Sequence, residues 1–136
     1  MFSINLMSRT PVYEQIIEQL GTFVLKGVLK AGDQIPSVRS LSIQLSINPN
    51  TIQKAYSELD RMGIICTVPG RGSFVAESAA VNLRNLKRTQ LGELREIVEM
   101  LALAGISRDE IVASVDDVFE KSRGEEKYHE SDITKK

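Results

Sequence analysis

The hydrophobic pattern of residues 11–75 changes its period once, at Gly63, and this change constrains the fold more than any other feature of the chain. Before Gly63, apolar residues recur at the spacing of three short amphipathic helices. After it, two β-rich runs, 64–68 and 73–75, flank the turn sequence Pro69-Gly-Arg-Gly72, which predicts a two-stranded hairpin. Three helices followed by a hairpin is the element order of a winged helix-turn-helix.

Turn and capping residues predict where the three helices begin and end. Pro11 precedes the first helical repeat, and Gly27 follows it as a stop. A loop with a short strand comes next, after which Ser37 is suited to cap the second helix. Asn48 and Pro49 then restart the chain as a third helix, because asparagine caps a helix start and proline fits the first helical position.

The composition shifts again from Ala79 onward, where a long amphipathic helix is predicted up to a stop at Gly105. Ser107 and Glu110 form a capping box for a last helix. Two helices offer each other too few partners within one chain, so their apolar faces predict a homodimer. The residues predicted to form the dimer contact are Leu91, Leu94, Val98, Leu101, Ile111, Val115, Val118 and Phe119.

The predicted fold class is mainly α with a small β part (α+β). Residues 1–78 form a winged helix-turn-helix DNA-binding domain, residues 79–123 a two-helix dimerisation domain, and residues 124–136 a polar, flexible tail.

The net charge of −1 divides only weakly along the chain, and the position of the acids is more informative. Residues 1–78 contain seven Lys/Arg and six Asp/Glu, whereas residues 79–136 contain ten and twelve. No acid occurs between Asp33 and Glu58, so a face built from this stretch can approach phosphate without repulsion.

Several classes of function are disfavoured by the residues that the chain lacks. One cysteine, Cys66, and one histidine, His129, cannot form an internal disulfide or a Cys/His metal site, so neither metal nor cofactor is expected. Cys66 is predicted to fill the core. No convergent set of catalytic groups is apparent, which argues against an enzyme. Without a long apolar run or a secretory signal, the chain is expected to be soluble, cytoplasmic and free of membrane.

Five sequence blocks of the N-terminal half resemble the DNA-binding domain of the GntR family of bacterial regulators. These blocks are Pro11-Val-Tyr-Glu-Gln-Ile16, Gly27-Val-Leu29, Gly32-Asp-Gln-Ile-Pro-Ser-Val-Arg-Ser-Leu41, Asn48-Pro-Asn-Thr-Ile-Gln-Lys-Ala-Tyr56 and Gly70-Arg-Gly-Ser-Phe-Val75, with Leu59 and Gly63 between the last two.

The short C-terminal part narrows the resemblance to the small YtrA-like branch of that family. This resemblance implies a homodimeric repressor, often linked to genes for ABC transporters. A two-fold dimer in turn predicts an inverted-repeat operator in double-stranded DNA. The resemblance leaves any small-molecule effector unspecified. Two departures from the family pattern are Ser46-Ile47-Asn48, in place of the commoner Gly-Val-Ser or Gly-Val-Asn, and Ser73, in place of threonine.

Five helix residues are candidates for contact with DNA. Ser37, at a helix start, is suited to bind phosphate, and it can equally serve as a simple N-cap. The family pattern aims Arg39 at a guanine, although a solvated surface arginine is the alternative. Asn50 and Thr51 at the start of the third helix are suited to base edges or to helix capping, while Lys54 is suited to a phosphate.

The hairpin supplies the remaining candidates. Arg71, between two glycines at the hairpin tip, is suited to enter a narrow minor groove. Gly72 beside Arg71 and Pro49 beside Asn50 complete the predicted DNA-binding set, while Tyr13 is predicted to be a packing or surface residue. A winged helix that binds a protein instead of DNA remains the alternative, against which Arg39, Lys54 and Arg71 argue.

Overall fold

The structure, a computed structural model, describes the backbone of residues 2–134 and the side chains of residues 2–123. Its helices are α1 (Val12–Leu25), α2 (Val38–Leu45), α3 (Pro49–Arg61), α4 (Ala79–Arg88), α5 (Leu91–Leu103) and α6 (Arg108–Thr134). Its strands are β1 (Gln34–Ile35), β2 (Ile65–Val68) and β3 (Gly72–Val75). The predicted class, mainly α with an N-terminal winged helix-turn-helix, is confirmed.

The three strands form an antiparallel sheet in the order β1-β3-β2. In the hairpin, Ile65 pairs with Val75 and Val68 pairs with Gly72. The two-residue strand β1 adds to the other edge of β3, where Gln34 pairs with Phe74. The segment that leads into α2 is therefore joined to the hairpin by strand pairing.

The capping residues predicted for α2 and α3 do cap them. The Ser37 hydroxyl accepts a hydrogen bond from the Ser40 amide at 3.0 Å. The Asn48 side-chain oxygen accepts from the Asn50 amide at 2.8 Å, and Pro49 occupies the first position of α3. Both caps satisfy amides that a helix start leaves without an intrahelical partner.

The core of the N-terminal unit lies between α1, α2, α3, the strands and α4. Its buried apolar residues are Ile16, Leu20, Val24, Leu29, Ile35, Leu41, Ile52, Ala55, Tyr56, Leu59, Ile64, Ile65, Val75, Ala79 and Leu83. Every one of them precedes residue 89.

The chain divides into two compact units, residues 1–88 and 89–136, so the boundary lies ten residues after the predicted one. The reason is the packing of α4, in which Ala79 and Leu83 are only 2% and 5% exposed in the N-terminal core. The Asn82 amide also donates a hydrogen bond to the Gly63 carbonyl oxygen at 2.8 Å. The helix predicted from Ala79 onward is thus two helices, of which α4 belongs to the first unit.

The second unit contains α5 and α6, and none of its described side chains, from 89 to 123, is buried. The predicted tail, residues 124–136, and His129 within it lie outside the described side chains. The backbone there continues α6 as far as Thr134. In the described part of the chain, no helix is long and apolar enough to cross a membrane.

The prediction that Cys66 fills the core is wrong, because its side chain is exposed. Successive residues of a strand point to opposite faces of the sheet. Ile65 takes the inward position in β2 and is buried, so Cys66 faces outward.

Candidate nucleic-acid interface

The angle between α2 and α3 is fixed by polar contacts around the turn that joins them. The buried Tyr56 hydroxyl of α3 donates a 2.6 Å hydrogen bond to the Pro36 carbonyl oxygen, just before α2 begins. Burial raises the pKa of Tyr56 to about 12, so the hydroxyl stays protonated as a donor. Within the turn, the Ser42 hydroxyl donates to the Ile47 carbonyl oxygen at 2.5 Å. These contacts hold the two helices as one unit.

Helix α3 buries one face and exposes the other. The buried residues are Ile52, Ala55, Tyr56 and Leu59. On the opposite side, Asn50, Gln53, Lys54 and Ser57 are exposed, while Thr51 is half-buried. This polar face is the one that a partner of the helix-turn-helix would meet.

Gln53 and Ser57 were not among the predicted site residues, and the structure adds them to this face. The Gln53 amide donates a hydrogen bond to the Ser57 hydroxyl at 3.1 Å. The signal was available in the sequence, since residues three and seven positions after Asn50 lie on the same side of a helix.

Lys54 has a contact that the sequence did not predict. Its Nζ atom lies 3.8 Å from the centroid of the Tyr13 ring of α1. The Tyr13 hydroxyl donates a 3.2 Å hydrogen bond to Glu14, and this bond raises the pKa of Tyr13. Tyr13 packs partly against the core, as predicted, and it also contacts a candidate DNA-binding residue.

Arg39 projects from the first turn of α2 and is exposed. Among the described residues, no hydrogen bond or ion pair engages its guanidinium. Ile43, one turn later on the same helix, is 70% exposed, so an apolar side chain accompanies Arg39 on this face. Ser37 is exposed too, and its hydroxyl oxygen already serves the N-cap of α2.

The hairpin tip is a type II turn. The Arg71 amide donates to the Val68 carbonyl oxygen at 3.0 Å, Pro69 holds the second position, and Gly70 has φ 78° in the third. The Arg71 side chain is exposed at this tip.

Gly72 is favoured by its backbone conformation, a left-handed φ that strains any residue with a Cβ. Its φ is 120°, and a Cβ at this position would lie 2.7 Å from the Gln34 side-chain nitrogen. That nitrogen donates a hydrogen bond to the Arg71 carbonyl oxygen at 3.1 Å. The side chain of Gln34 therefore fixes the backbone from which Arg71 projects.

The difference in net charge between the two parts of the chain is larger when the chain is divided at residue 88, as in the structure, than at the predicted residue 78. Residues 1–88 contain ten Lys/Arg and six Asp/Glu, a net +4, and residues 89–136 contain seven and twelve, a net −5. On α3 itself, the Glu58 carboxylate accepts a 2.7 Å hydrogen bond from Arg61, which lowers the pKa of Glu58. Paired in this way, Glu58 adds little repulsion toward an anionic partner.

Comparison with known proteins connects this geometry to a family. The profile of the family described as "Bacterial regulatory proteins, gntR family" matches residues 12–75, from the start of α1 to the end of β3. The HTH-type transcriptional repressor YtrA of Bacillus subtilis is 39% identical over 128 residues, which cover 93% of this chain and 98% of that relative. The chain belongs to the GntR family.

Two further similar proteins extend the likeness into the C-terminal helices. The HTH-type transcriptional regulator YhcF of Bacillus subtilis is 38% identical over 109 residues, or 79% of this chain and 89% of the relative. A crystal structure of a transcriptional regulator from Oenococcus oeni superimposes with a TM-score of 0.70 at 33% identity, and covers 88% of this chain and 99% of its own. The protein is therefore a GntR-family transcription regulator with a winged helix-turn-helix as its DNA-binding domain.

Proposed function

We propose that this GntR regulator is a sequence-specific repressor that binds inverted-repeat operators as a homodimer. The observation that carries the proposal is the set of exposed basic and amide side chains on α2, on α3 and at the hairpin tip. The exposed cations are Arg39, Lys54 and Arg71, and of the two acids of α3, Glu58 is paired with Arg61 and Asp60 lies in the last turn, far along the helix from Asn50. The repressor role is supported by the name of the relative YtrA, which matches nearly the whole chain.

Each exposed residue has a role in this proposal that its chemistry supports. Arg39 contacts guanine O6 and N7, since a guanidinium matches that pair of acceptors. Asn50 and Gln53 meet base edges, because amide side chains donate and accept together. Lys54 binds a phosphate, and Arg71 enters the minor groove beside the hairpin. Ser37, Pro49, Thr51 and Gly72 complete the contact surface.

The homodimer is supported by the state of the second unit. Six of the eight predicted dimer residues are exposed, and Val98 and Ile111 are half-buried. Ile97, Met100, Leu103 and Val112 add further exposed apolar area on the same two helices. A helical unit with so much apolar surface and no buried described side chain requires a partner to form a core.

The proposed setting follows from these roles. The dimer acts in the cytoplasm, and a dimer seated on an operator blocks access to the promoter. Resemblance to the YtrA-like branch supports genes for ABC transporters as its targets.

The experiment that tests the proposal is a gel shift of the full-length protein on its own genomic fragments at about 50 and 200 mM salt. Binding should select a few fragments and weaken steeply with salt, because phosphate contacts release counterions. Arg39→Ala should lower affinity for the selected fragments by about 1–3 kcal/mol while changing affinity for mixed-sequence DNA much less. A protein that shifts no fragment at either salt concentration would instead support a protein-binding winged helix.

A further inference from the structure

The Lys54 ammonium lies over the face of an aromatic ring from a different helix. Its Nζ atom is 3.8 Å from the centroid of Tyr13, well inside the roughly 6 Å range of a cation–π contact. The Lys54 side chain is otherwise exposed, so burial does not determine its conformation. The ring of Tyr13 is the contact that places the ammonium.

The carboxylate that would be expected to attract Lys54 is engaged elsewhere. Glu58 lies one helical turn after Lys54, a spacing at which opposite charges pair. Its oxygens instead accept hydrogen bonds from Arg61, at 2.7 Å from Nη2 and at 3.2 and 3.3 Å from Nε. Hydrogen bonding to Arg61 lowers the pKa of Glu58, with a smaller electrostatic contribution from Lys54. Because Glu58 is hydrogen-bonded to Arg61, the Lys54 ammonium contacts the Tyr13 ring instead of forming an ion pair with Glu58.

The ring itself is held in place. Tyr13 is half-buried and packs against the core, and its hydroxyl donates a hydrogen bond to the Glu14 carboxylate at 3.2 Å. Donation to an anion makes the ring more electron-rich, which favours a cation on its face. A fixed, electron-rich ring can restrict the long and flexible lysine side chain.

We infer that Tyr13 is a positioning residue for the phosphate contact of Lys54. The inference rests on the proposed function, in which Lys54 binds the DNA backbone. An ammonium has three N–H donors, and a ring on one side leaves the exposed side for a phosphate oxygen. Because the ring restricts the side chain before DNA arrives, less conformational entropy is lost on binding.

A double-mutant cycle in the full-length protein tests this coupling. The variants are Tyr13→Leu, Lys54→Met and the double substitution, and the probe is a mixed-sequence duplex of about 40 base pairs at about 50 mM salt. Methionine keeps an unbranched stem and removes the charge. Tyr13→Leu should weaken binding about two- to five-fold, the equivalent of an exposed cation–π contact, and should have no effect once Lys54 is methionine. Tyr13→Phe, which keeps the ring but loses the hydrogen bond to Glu14, should lose clearly less affinity than Tyr13→Leu.

Three outcomes of these measurements would overturn the inference. Equal losses from Tyr13→Leu in both backgrounds would show that the ring acts independently of Lys54. Tighter binding by Tyr13→Leu would show that the ring competes with phosphate for the ammonium. An equal loss in Tyr13→Phe and Tyr13→Leu would assign the effect to the hydroxyl, and would overturn it as well.

The salt dependence separates this inference from the proposed function. Lys54→Met should reduce the slope of log affinity against log salt by about one if Lys54 binds a phosphate. An unchanged slope would refute that contact itself, whatever Tyr13 does.

A spectroscopic readout checks the contact in the free protein. The ring current of Tyr13 should shift the ε-methylene protons of Lys54 upfield in the parent and in Tyr13→Phe, and the shift should vanish in Tyr13→Leu. Absence of the shift in the folded parent protein would overturn the inference without reference to DNA.

Discussion

Tyr56 shows how one buried polar group sets the geometry of a DNA-binding motif. Its hydroxyl reaches from α3 to the Pro36 carbonyl oxygen at 2.6 Å, while its ring lies in the core at 3% exposure. A buried carbonyl oxygen that loses its donor costs about 1–3 kcal/mol. The position of α3 relative to the start of α2 therefore depends on this hydroxyl as well as on apolar packing.

Replacement of Tyr56 with phenylalanine should lower the free energy of unfolding by about 1–3 kcal/mol at neutral pH. The pKa of Tyr56 is raised from 10.0 to about 12 in the folded protein, so its stabilising effect is complete below pH 10 and disappears as the pH rises through about 12. The stability difference between the parent and Tyr56→Phe should thus narrow between those pH values. Denaturant titrations of both proteins at several alkaline pH values measure this difference in the free energy of unfolding. A difference that stays constant with pH would contradict the stabilising role assigned to the Tyr56 hydroxyl.

The turn at Ser46 is a feature that the sequence alone could predict, because it depends only on neighbouring residues. The Ser46 backbone has φ 55° and ψ 42°, the left-handed conformation, which among the described residues other than glycine is found only here. The sequence indicated a turn without glycine at Ser46-Ile47-Asn48, and local backbone rules suffice for that.

The contact of Lys54 with Tyr13 was not predictable, because it joins side chains that are 41 positions apart and whose meeting depends on how α1 packs against α3.

At the scale of helices and strands, periodicity and capping predicted α1, α2, α3 and the hairpin because those signals are local. The end of α4 was missed for an equally physical reason. No glycine or proline lies between Ala79 and Leu91 to mark the break after Arg88, and the apolar pattern continues through it. The burial of Ala79 and Leu83 in the first unit shows that α4 belongs to the N-terminal core.

This boundary changes how the C-terminal helices should be tested. A truncation at residue 78 would strip α4 from the N-terminal core, whereas a chain ending at Arg88 keeps that unit complete. We expect the full-length protein to sediment as a dimer at micromolar concentration and the chain 1–88 to sediment as a monomer. Charged substitutions at exposed apolar positions, such as Leu94→Glu with Val118→Glu, should also produce monomers without unfolding the N-terminal unit.

A matched control lies on the same helix. Glu96→Gln alters an exposed polar position of α5 and should leave the dimer intact. A full-length protein that remains monomeric, or a Leu94→Glu and Val118→Glu variant that remains dimeric, would refute dimerisation through these residues.

For the whole molecule, the opposite net charges of the two units support different proposed roles, DNA binding for the first unit and dimerisation for the second. The first unit is basic and exposes Arg39, Lys54 and Arg71, and the second is acidic and exposes apolar side chains on its helices. A positive field on the DNA-binding unit speeds encounter with the duplex, while the acidic unit gains nothing from contact with phosphate. The net charge of −1 hides both properties, which is why composition alone was a poor guide to the partner.

A two-fold dimer has a geometric consequence for the operator. It presents two copies of α3, and both can meet the same face of a duplex only when their half-sites lie about one turn apart, roughly 34 Å or 10 to 10.5 base pairs between centres. We therefore expect inverted repeats with this spacing in the DNA that the protein selects.

Insertion of about five base pairs between the half-sites rotates one of them by half a turn and should abolish cooperative binding. Insertion of about ten base pairs restores the phase but lengthens the span by a full turn, so it tests whether the dimer is rigid. Footprints and affinities on the parent operator and these two variants give the measurement. If the half-turn insertion leaves protection and affinity unchanged, each winged helix binds independently and the dimer does not determine operator architecture. A loss with both insertions indicates a rigid dimer, and recovery with the longer one indicates a dimer whose DNA-binding units can separate while remaining in phase.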